Sequence, residues 1–197
     1  MIKPLSLLYV PVLHTHRESE DIVFSLKASG GDTHADTSGD EYDKSVKDMW
    51  KGIYSRLQET GIAFSSVRIY QDSLPVCGME KDVASKLAEK GSLNYQLILD
   101  LLNKGARIEG TEDQQLLIKE YDCLTRCIVS VHDRAAALER YWAESAELMK
   151  QRDKFIAGRI KSTLKDGEVP LVFMGVRHGL GELLKDDFII AYQYCPV

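Results

Sequence analysis

The sequence has little that would place the protein in a membrane or outside the cell. Its 4 cysteines among 197 residues are too few for a disulfide-rich secreted domain, and none of them shows the CxxC spacing of a zinc site. No apolar run is long enough to span a bilayer, and no small-residue cleavage site follows the short apolar stretch near the N-terminus. We therefore expect a cytoplasmic protein with reduced thiols and no membrane partner.

The sequence also lacks an excess of positive charge. It has 25 Lys and Arg against 30 Asp and Glu, a formal net charge of -5, and no basic stripe. Because proteins bind phosphate backbones through clustered cations, we do not expect nucleic acid as a partner. Apolar residues make up 44% of the 197 positions, which predicts one buried core, so we expect residues 1–197 to form a single domain.

Apolar segments with strand patterns alternate with helical patterns along the chain. The predicted strands are residues 5–13, 66–71, 106–109, 171–176 and 188–192. This alternation predicts the α/β class, with a central, largely parallel or mixed sheet flanked by helices. By contrast, residues 28–43 are polar and rich in Gly, Asp and Thr, which predicts a mobile polar loop.

A long helical segment is predicted in the C-terminal half, from residue 112 to about residue 165. Thr111 and Gln114 have the spacing of a capping box, so a helix should begin there, with Glu112 in the first turn where the helix dipole favours negative charge. A bend is expected near His132. Within the first part of the segment, Cys123 and Cys127 are one helical turn apart and are expected to be packing residues.

Polar side chains follow four of the predicted strands. Because the carboxyl ends of parallel strands lie along one edge of a sheet, where open α/β folds bind their ligands, we expect these side chains to form one site. They are His14 and His16 after the first strand, Asp72 after the second, Glu109 and Glu112 around the end of the third, and Arg177 and His178 after the fourth.

The histidines of this set are candidates for acid-base chemistry or metal binding, since imidazole does both near neutral pH. His178 lies between glycines at a strand exit; the alternative is a histidine that only hydrogen-bonds in a turn. His14 and His16 point the same way if the chain is extended, but not if the strand has already ended. A divalent metal is therefore a candidate cofactor, with His14 and His178 as its candidate ligands.

Arg152 lies on the inward stripe of a predicted helix, together with Tyr141, Ser145 and Phe155. A buried guanidinium needs an anion or strong acceptors. The candidates are Glu109, Asp72 or an anionic or carbonyl-bearing ligand. The alternative is an aliphatic stem that lies along apolar surface while the charged group stays in solvent.

The stretch RDKFIAGRI at residues 152–160, followed by LVFMGVRHGLG at 171–181, resembles the C-terminal motif of the TraB/PrgY/Tiki group. That group pairs an arginine with a later GxxHxxG after a strand, and it is similar to the erythromycin esterase and ChaN-like proteins. The early PVLH ending at His14 would correspond to a first GxxH, with Pro11 in place of glycine. The resemblance implies a site of two histidines, an arginine and a glutamate, matched here to Glu109, with metal-dependent peptidase or hydrolase activity.

These observations predict a hydrolase of a small molecule or peptide. His14 or His178 would activate water, directly or through a metal, while Arg152 stabilises developing negative charge and Glu109 orients a histidine or shares the proton transfer. The residues expected to bind the substrate are His16, Asp72, Glu112 and Arg177. The alternative is a non-catalytic regulatory protein that holds an anionic or small-molecule ligand in the same pocket. A third reading is that the long helices form a homodimer interface and the pocket has no function.

Overall fold

A computed structural model of the protein describes residues 5–12, 39–128 and 134–193. The strands are β1 (Leu5–Val12), β2 (Val67–Gln71), β3 (Arg107–Glu109), β4 (Val169–Gly175) and β5 (Phe188–Tyr192). The helices are α1 (Gly39–Glu59), α2 (Glu80–Glu89), α3 (Leu93–Asn103), α4 (Gln114–Ile128), α5 (Arg134–Thr163) and α6 (Leu180–Leu184), and a short 3-10 helix (Phe64–Ser66) precedes β2.

The strands form one sheet in the order β3-β2-β4-β1-β5, and every neighbouring pair is parallel. The predicted α/β class with a largely parallel sheet is therefore confirmed. The predicted long helical segment is present as α4 and the 30-residue α5. Among the described residues, no helix combines the length and the apolarity needed to cross a membrane.

Helices cover both faces of the sheet. Leu8 and Val10 of β1 pack against α1, α2 and α3 on one face. Leu7 and Tyr9, which alternate with them, pack on the other face with α5 and α6. Because both faces of the sheet are covered, β4 is buried on both sides, and this is why its apolar run shows no alternation.

Each chain segment that connects two successive strands passes over one of the two faces of the sheet. The connections from β1 to β2 and from β2 to β3 use the face of α1, α2 and α3, whereas those from β3 to β4 and from β4 to β5 use the face of α5 and α6. The neighbouring strands β2 and β4 therefore send the chain to opposite faces. Open α/β sheets bind ligands in the crevice outside the carboxyl ends of such a pair.

The predicted strands match the observed strands to within two residues at each end. The predicted polar loop at residues 28–43 is wrong at its C-terminal end, because α1 begins at Gly39 and its last five residues are helical. Residues 28–38 lie outside the described part of the chain.

The predicted capping box is also wrong. Helix α4 begins at Gln114, and the Oδ1 atom of Asp113 accepts hydrogen bonds from two backbone N–H groups of the first turn, at 2.9 and 3.0 Å. The hydroxyl of Thr111 instead donates to the backbone carbonyls of Gln71 and Leu74. Thr111 therefore connects the segment after β3 to the segment after β2, which brings the ends of the two strands together.

Two glycines offer a matched test of packing near these strand ends. A Cβ added at Gly110 would lie 2.6 Å from Cα of Val76 and 2.9 Å from the carbonyl oxygen of Pro75, whereas one added at Gly158 in α5 meets nothing within 4 Å. We expect Gly110→Ala to lower the free energy of unfolding by roughly 1–3 kcal/mol through overpacking. Gly158→Ala should raise it by about 1 kcal/mol, because alanine favours the helix. Urea unfolding measures both changes, and a Gly110→Ala variant as stable as the parent would contradict the packing described.

Candidate functional site

Asp72, Glu112 and His178 meet at the carboxyl-terminal edge of the sheet. Asp72 directly follows β2, and Glu112 and His178 each follow their strands by three residues. Each residue offers a ligand atom, and these atoms all lie within 4.8 Å of one another. Three of the sequence-predicted site residues thus converge in the crevice outside β2 and β4.

His178 is held between two carboxylates. Its Nδ1 atom is 2.5 Å from Oδ1 of Asp153, its Nε2 atom is 3.3 Å from Oδ1 of Asp72, and only 2% of the side chain is exposed. The other oxygen of Asp153 accepts the backbone N–H of Gly179 at 2.8 Å, and the other oxygen of Asp72 accepts that of Gly175 at 2.9 Å. Both carboxylates are therefore fixed by the same loop that carries the histidine.

Burial disfavours the charged imidazole, but the hydrogen bonds to Asp153 and Asp72 outweigh burial and raise the pKa of His178 to about 9. At neutral pH both ring nitrogens donate a proton. The imidazole can therefore act as a base, or as a metal ligand, only after it loses one of them.

Arg152 lies on the inward face of α5, as its spacing predicts, and 3% of its side chain is exposed. Its Nε and Nη2 atoms donate to both oxygens of Glu112, with 3.1 Å from Nε to Oε2. Nη2 also donates to Oδ1 of Asp72 at 3.0 Å, and Nη1 donates to Glu120. Four of the five guanidinium N–H groups thus point at carboxylates of this chain.

The cluster contains more acids than bases. Asp72, Glu112, Glu120 and Asp153 surround the two cations Arg152 and His178. Burial alone would raise the pKa of Asp72, yet the hydrogen bond and charge of His178, together with Arg152, hold that pKa well below its usual range. Burial raises the pKa of Glu112, and Arg152 offsets part of this rise. The cluster therefore has a surplus of negative charge once its acids ionise.

The donor set of Asp72, Glu112 and His178 fits a divalent metal ion. Two carboxylate oxygens and one imidazole nitrogen suit Zn²⁺, Mn²⁺ or Fe²⁺. Ligand bonds of about 2.0–2.2 Å allow donor atoms up to about 4.4 Å apart, and the three donor atoms lie within 4.8 Å of one another. An ion would have to displace the proton on Nε2 of His178 and weaken the contacts of Arg152 with both carboxylates.

Arg177 lies at the rim of this cluster. Its Nη2 atom donates to Oγ of Ser145 at 2.9 Å, and its guanidinium carbon lies 4.9 Å from the ring centre of Tyr141. The hydroxyl of Tyr141 donates to Glu120 at 2.7 Å, so the rim is continuous with the partners of Arg152. No ion pair among the described residues includes Arg177.

Glu109 has other partners. Its carboxylate contacts Arg68 and Arg159, with 3.3 Å to Nη2 of Arg159, and Arg68 also binds Glu168 at 2.5 Å. The reason is register: Glu109 still pairs with Tyr70 inside the sheet, so its side chain faces α5 rather than the edge. Of the two residues predicted as partners of Arg152, Asp72 contacts it and Glu109 does not; Glu112 and Glu120 are its other carboxylate partners.

His14 and His16 lie outside the described residues. The predicted pairing of His14 with His178 on a metal, and the role of His16, therefore stay predictions.

Two residues of the cluster, Asp153 and Glu120, were not predicted from the sequence. Asp153 follows Arg152 directly, and a buried histidine needs a partner at each ring nitrogen, which is the signal that would have found it. Glu120 carries no comparable signal, because its role depends on how α4 packs against α5. Comparison of the chain with protein-family models, with curated proteins and with solved structures found no match.

Replacement of Arg152 should test the charge balance of the cluster. Arg152→Ala leaves the buried carboxylates of Glu112 and Asp72 without their cation, so we expect a loss of about 3–5 kcal/mol in the free energy of unfolding. The matched control is Lys150→Ala in the same helix, because the exposed pair of Lys150 with Glu147 is worth about 0–1 kcal/mol. Equal urea midpoints for the two variants would contradict a structural role for Arg152.

The raised pKa of His178 predicts a stability that depends on pH. Because the folded pKa of about 9 exceeds the ordinary value of 6.5, the stabilisation is complete below pH 6.5 and is lost as the pH rises through 9. The total is on the order of 3 kcal/mol. We expect the difference in unfolding free energy between the parent and His178→Gln to shrink over this interval. A difference that stays constant from pH 6 to pH 10 would contradict it.

Proposed function

We propose that the chain is a hydrolase of a small molecule or peptide whose site lies at the carboxyl-terminal edge of the sheet, with a divalent cation held by Asp72, Glu112 and His178. The observation that carries the proposal is the convergence of these three donors within 4.8 Å. Their position outside β2 and β4, where the connections diverge to opposite faces, supports it further.

Each residue of the cluster has a role in this proposal. A bound divalent cation would polarise a substrate carbonyl and lower the pKa of water. Asp153 accepts from Nδ1 of His178 and so directs Nε2 toward Asp72, as carboxylates do behind metal-binding histidines. Arg152 positions Asp72 and Glu112. It can stabilise negative charge on the substrate only if some of its hydrogen bonds to these carboxylates are broken.

The resemblance to the TraB/PrgY/Tiki group is part of the same proposal, because it involves residues of this site. Arg152 and His178 are the two residues of the C-terminal motif that carry it, and both contact Asp72, at 3.0 and 3.3 Å. The glutamate of the site would then be Glu112 rather than Glu109, since Glu112 shares its contacts with Arg152.

The second candidate is a non-catalytic protein that binds an anionic ligand, and Arg177 favours it. Arg152 is occupied by three carboxylates, so Arg177 is the better anchor for an anion at this edge. Its guanidinium is part buried and donates to the neutral Ser145.

Location and partners stay predictions: a cytoplasmic protein, a small-molecule or peptide substrate, and neither nucleic acid nor a membrane as partner. A homodimer formed through the long helices also stays a prediction. The exposed apolar side chains Ile118 and Tyr121 of α4 and Trp142 of α5 support it.

Metal titration and substrate assays test the first candidate. Calorimetry with Mn²⁺ and Zn²⁺ on the metal-free protein should find one site whose affinity falls at least about tenfold in Glu112→Gln and in His178→Ala. The matched control is Asp113→Asn, which removes the adjacent negative charge but keeps the oxygen that caps α4. A panel of ester, amide and phosphate substrates should show activity in the parent and the control, and a loss in both site variants.

Circular dichroism checks that the variants fold. A parent that binds neither ion, or site variants that bind it like Asp113→Asn, would contradict the metal. Metal binding without activity on the panel would favour the second candidate.

A further inference from the structure

We propose that Cys123, Cys127 and Glu144 form a separate site for a thiophilic divalent cation, Zn²⁺ in the first place, between α4 and α5. The proposal is independent of the function proposed above. One ligand atom from each of the three residues lies within 4.8 Å of the others.

The two cysteines present their thiols to the same side of α4. They are four residues apart, so they lie one above the other on the helix face that packs against α5. Cys123 is 5% and Cys127 is 1% exposed, and neither is in a disulfide. Sγ of Cys123 lies 4.0 Å from Oε2 of Glu144.

Glu144 gives the cluster an opening to solvent. Its side chain is 42% exposed, and its ion pair with Arg126 is 3.8 Å long. Exposed pairs of this kind are worth about 0–1 kcal/mol, so little is lost when the carboxylate turns toward a metal. A water molecule could complete the four ligands from the exposed side.

The donor types select the cation. Zn²⁺ takes thiolates at about 2.3 Å and carboxylates at about 2.0–2.2 Å in a tetrahedral arrangement, and two sulfurs disfavour Mg²⁺ and Mn²⁺. The carboxylate of Glu144 adds an oxygen donor beside the thiol of Cys123.

The site would lie next to the contacts that link the helix pair to Arg152. Glu120 precedes Cys123 by one helical turn on α4, and Tyr141 precedes Glu144 by one turn on α5. These two side chains hydrogen-bond to each other at 2.7 Å, and Glu120 also binds Arg152. A cation at the cysteines would therefore connect α4 to α5 and stabilise the folded helix pair.

Titration of the reduced, metal-free protein with Cd²⁺, followed by its thiolate-to-metal charge-transfer absorption, tests the proposal. The cluster of Asp72, Glu112 and His178 has no sulfur and gives no such band. We expect saturation at one equivalent and a band that is lost in Cys123→Ser and in Cys127→Ser. The matched control is Cys77→Ser combined with Cys195→Ser, which should keep the band.

Glu144→Gln provides a readout that does not disturb the core, because this side chain is partly exposed. It should weaken Zn²⁺ binding, measured by competition against Cd²⁺, by at least about tenfold. Zn²⁺ should also raise the melting temperature of the parent more than that of Glu144→Gln. Three results would overturn the proposal: a parent without a band, a band that persists in both single-cysteine variants, or a band lost only in the control.

Discussion

The carboxyl-terminal edge of the sheet depends on the burial of one guanidinium group. Arg152 extends from α5 to Asp72 after β2, to Glu112 after β3 and to Glu120 on α4. A charge in the interior is tolerated only beside partners of opposite sign, so this contact holds four segments of the chain in one arrangement. Arg152 balances negative charge at this edge of the sheet. It also holds two of the candidate metal ligands, Asp72 and Glu112, near the imidazole of His178.

The strand order explains why this edge, rather than another part of the surface, carries the polar groups. Strand β4 lies between β2 and β1. The loop that follows β4 therefore lies beside the loop that follows β2, and the two loops lead to opposite faces of the sheet. Asp72 receives the backbone N–H of Gly175 from that neighbouring loop. A crevice of this kind collects side chains from distant positions in the sequence, which is why it suits ligands in folds of this class.

The sequence was sufficient to predict the class of fold and the proximity of Asp72, Glu112 and His178. Apolar runs and helical spacing located the strands, and the inward stripe of α5 predicted that Arg152 is buried. The partners of Arg152 were harder to predict, because they depend on where pairing ends in a three-residue strand: Glu109 is still inside β3, whereas Glu112 is beyond it. Glu120 was not found, because its contact with Arg152 depends on how α4 and α5 pack together.

Among the described residues, β1 pairs only with β4 and β5. Leu8 lies beside Leu171 of β4 and Ala191 of β5, so the chain must be synthesised as far as β4 before β1 gains either of these neighbours. Long sequence separation between contacting residues slows folding. Closure of the sheet should accordingly be a late event, and removal of the residues from Val169 onward would leave an apolar strand without partners and liable to aggregate.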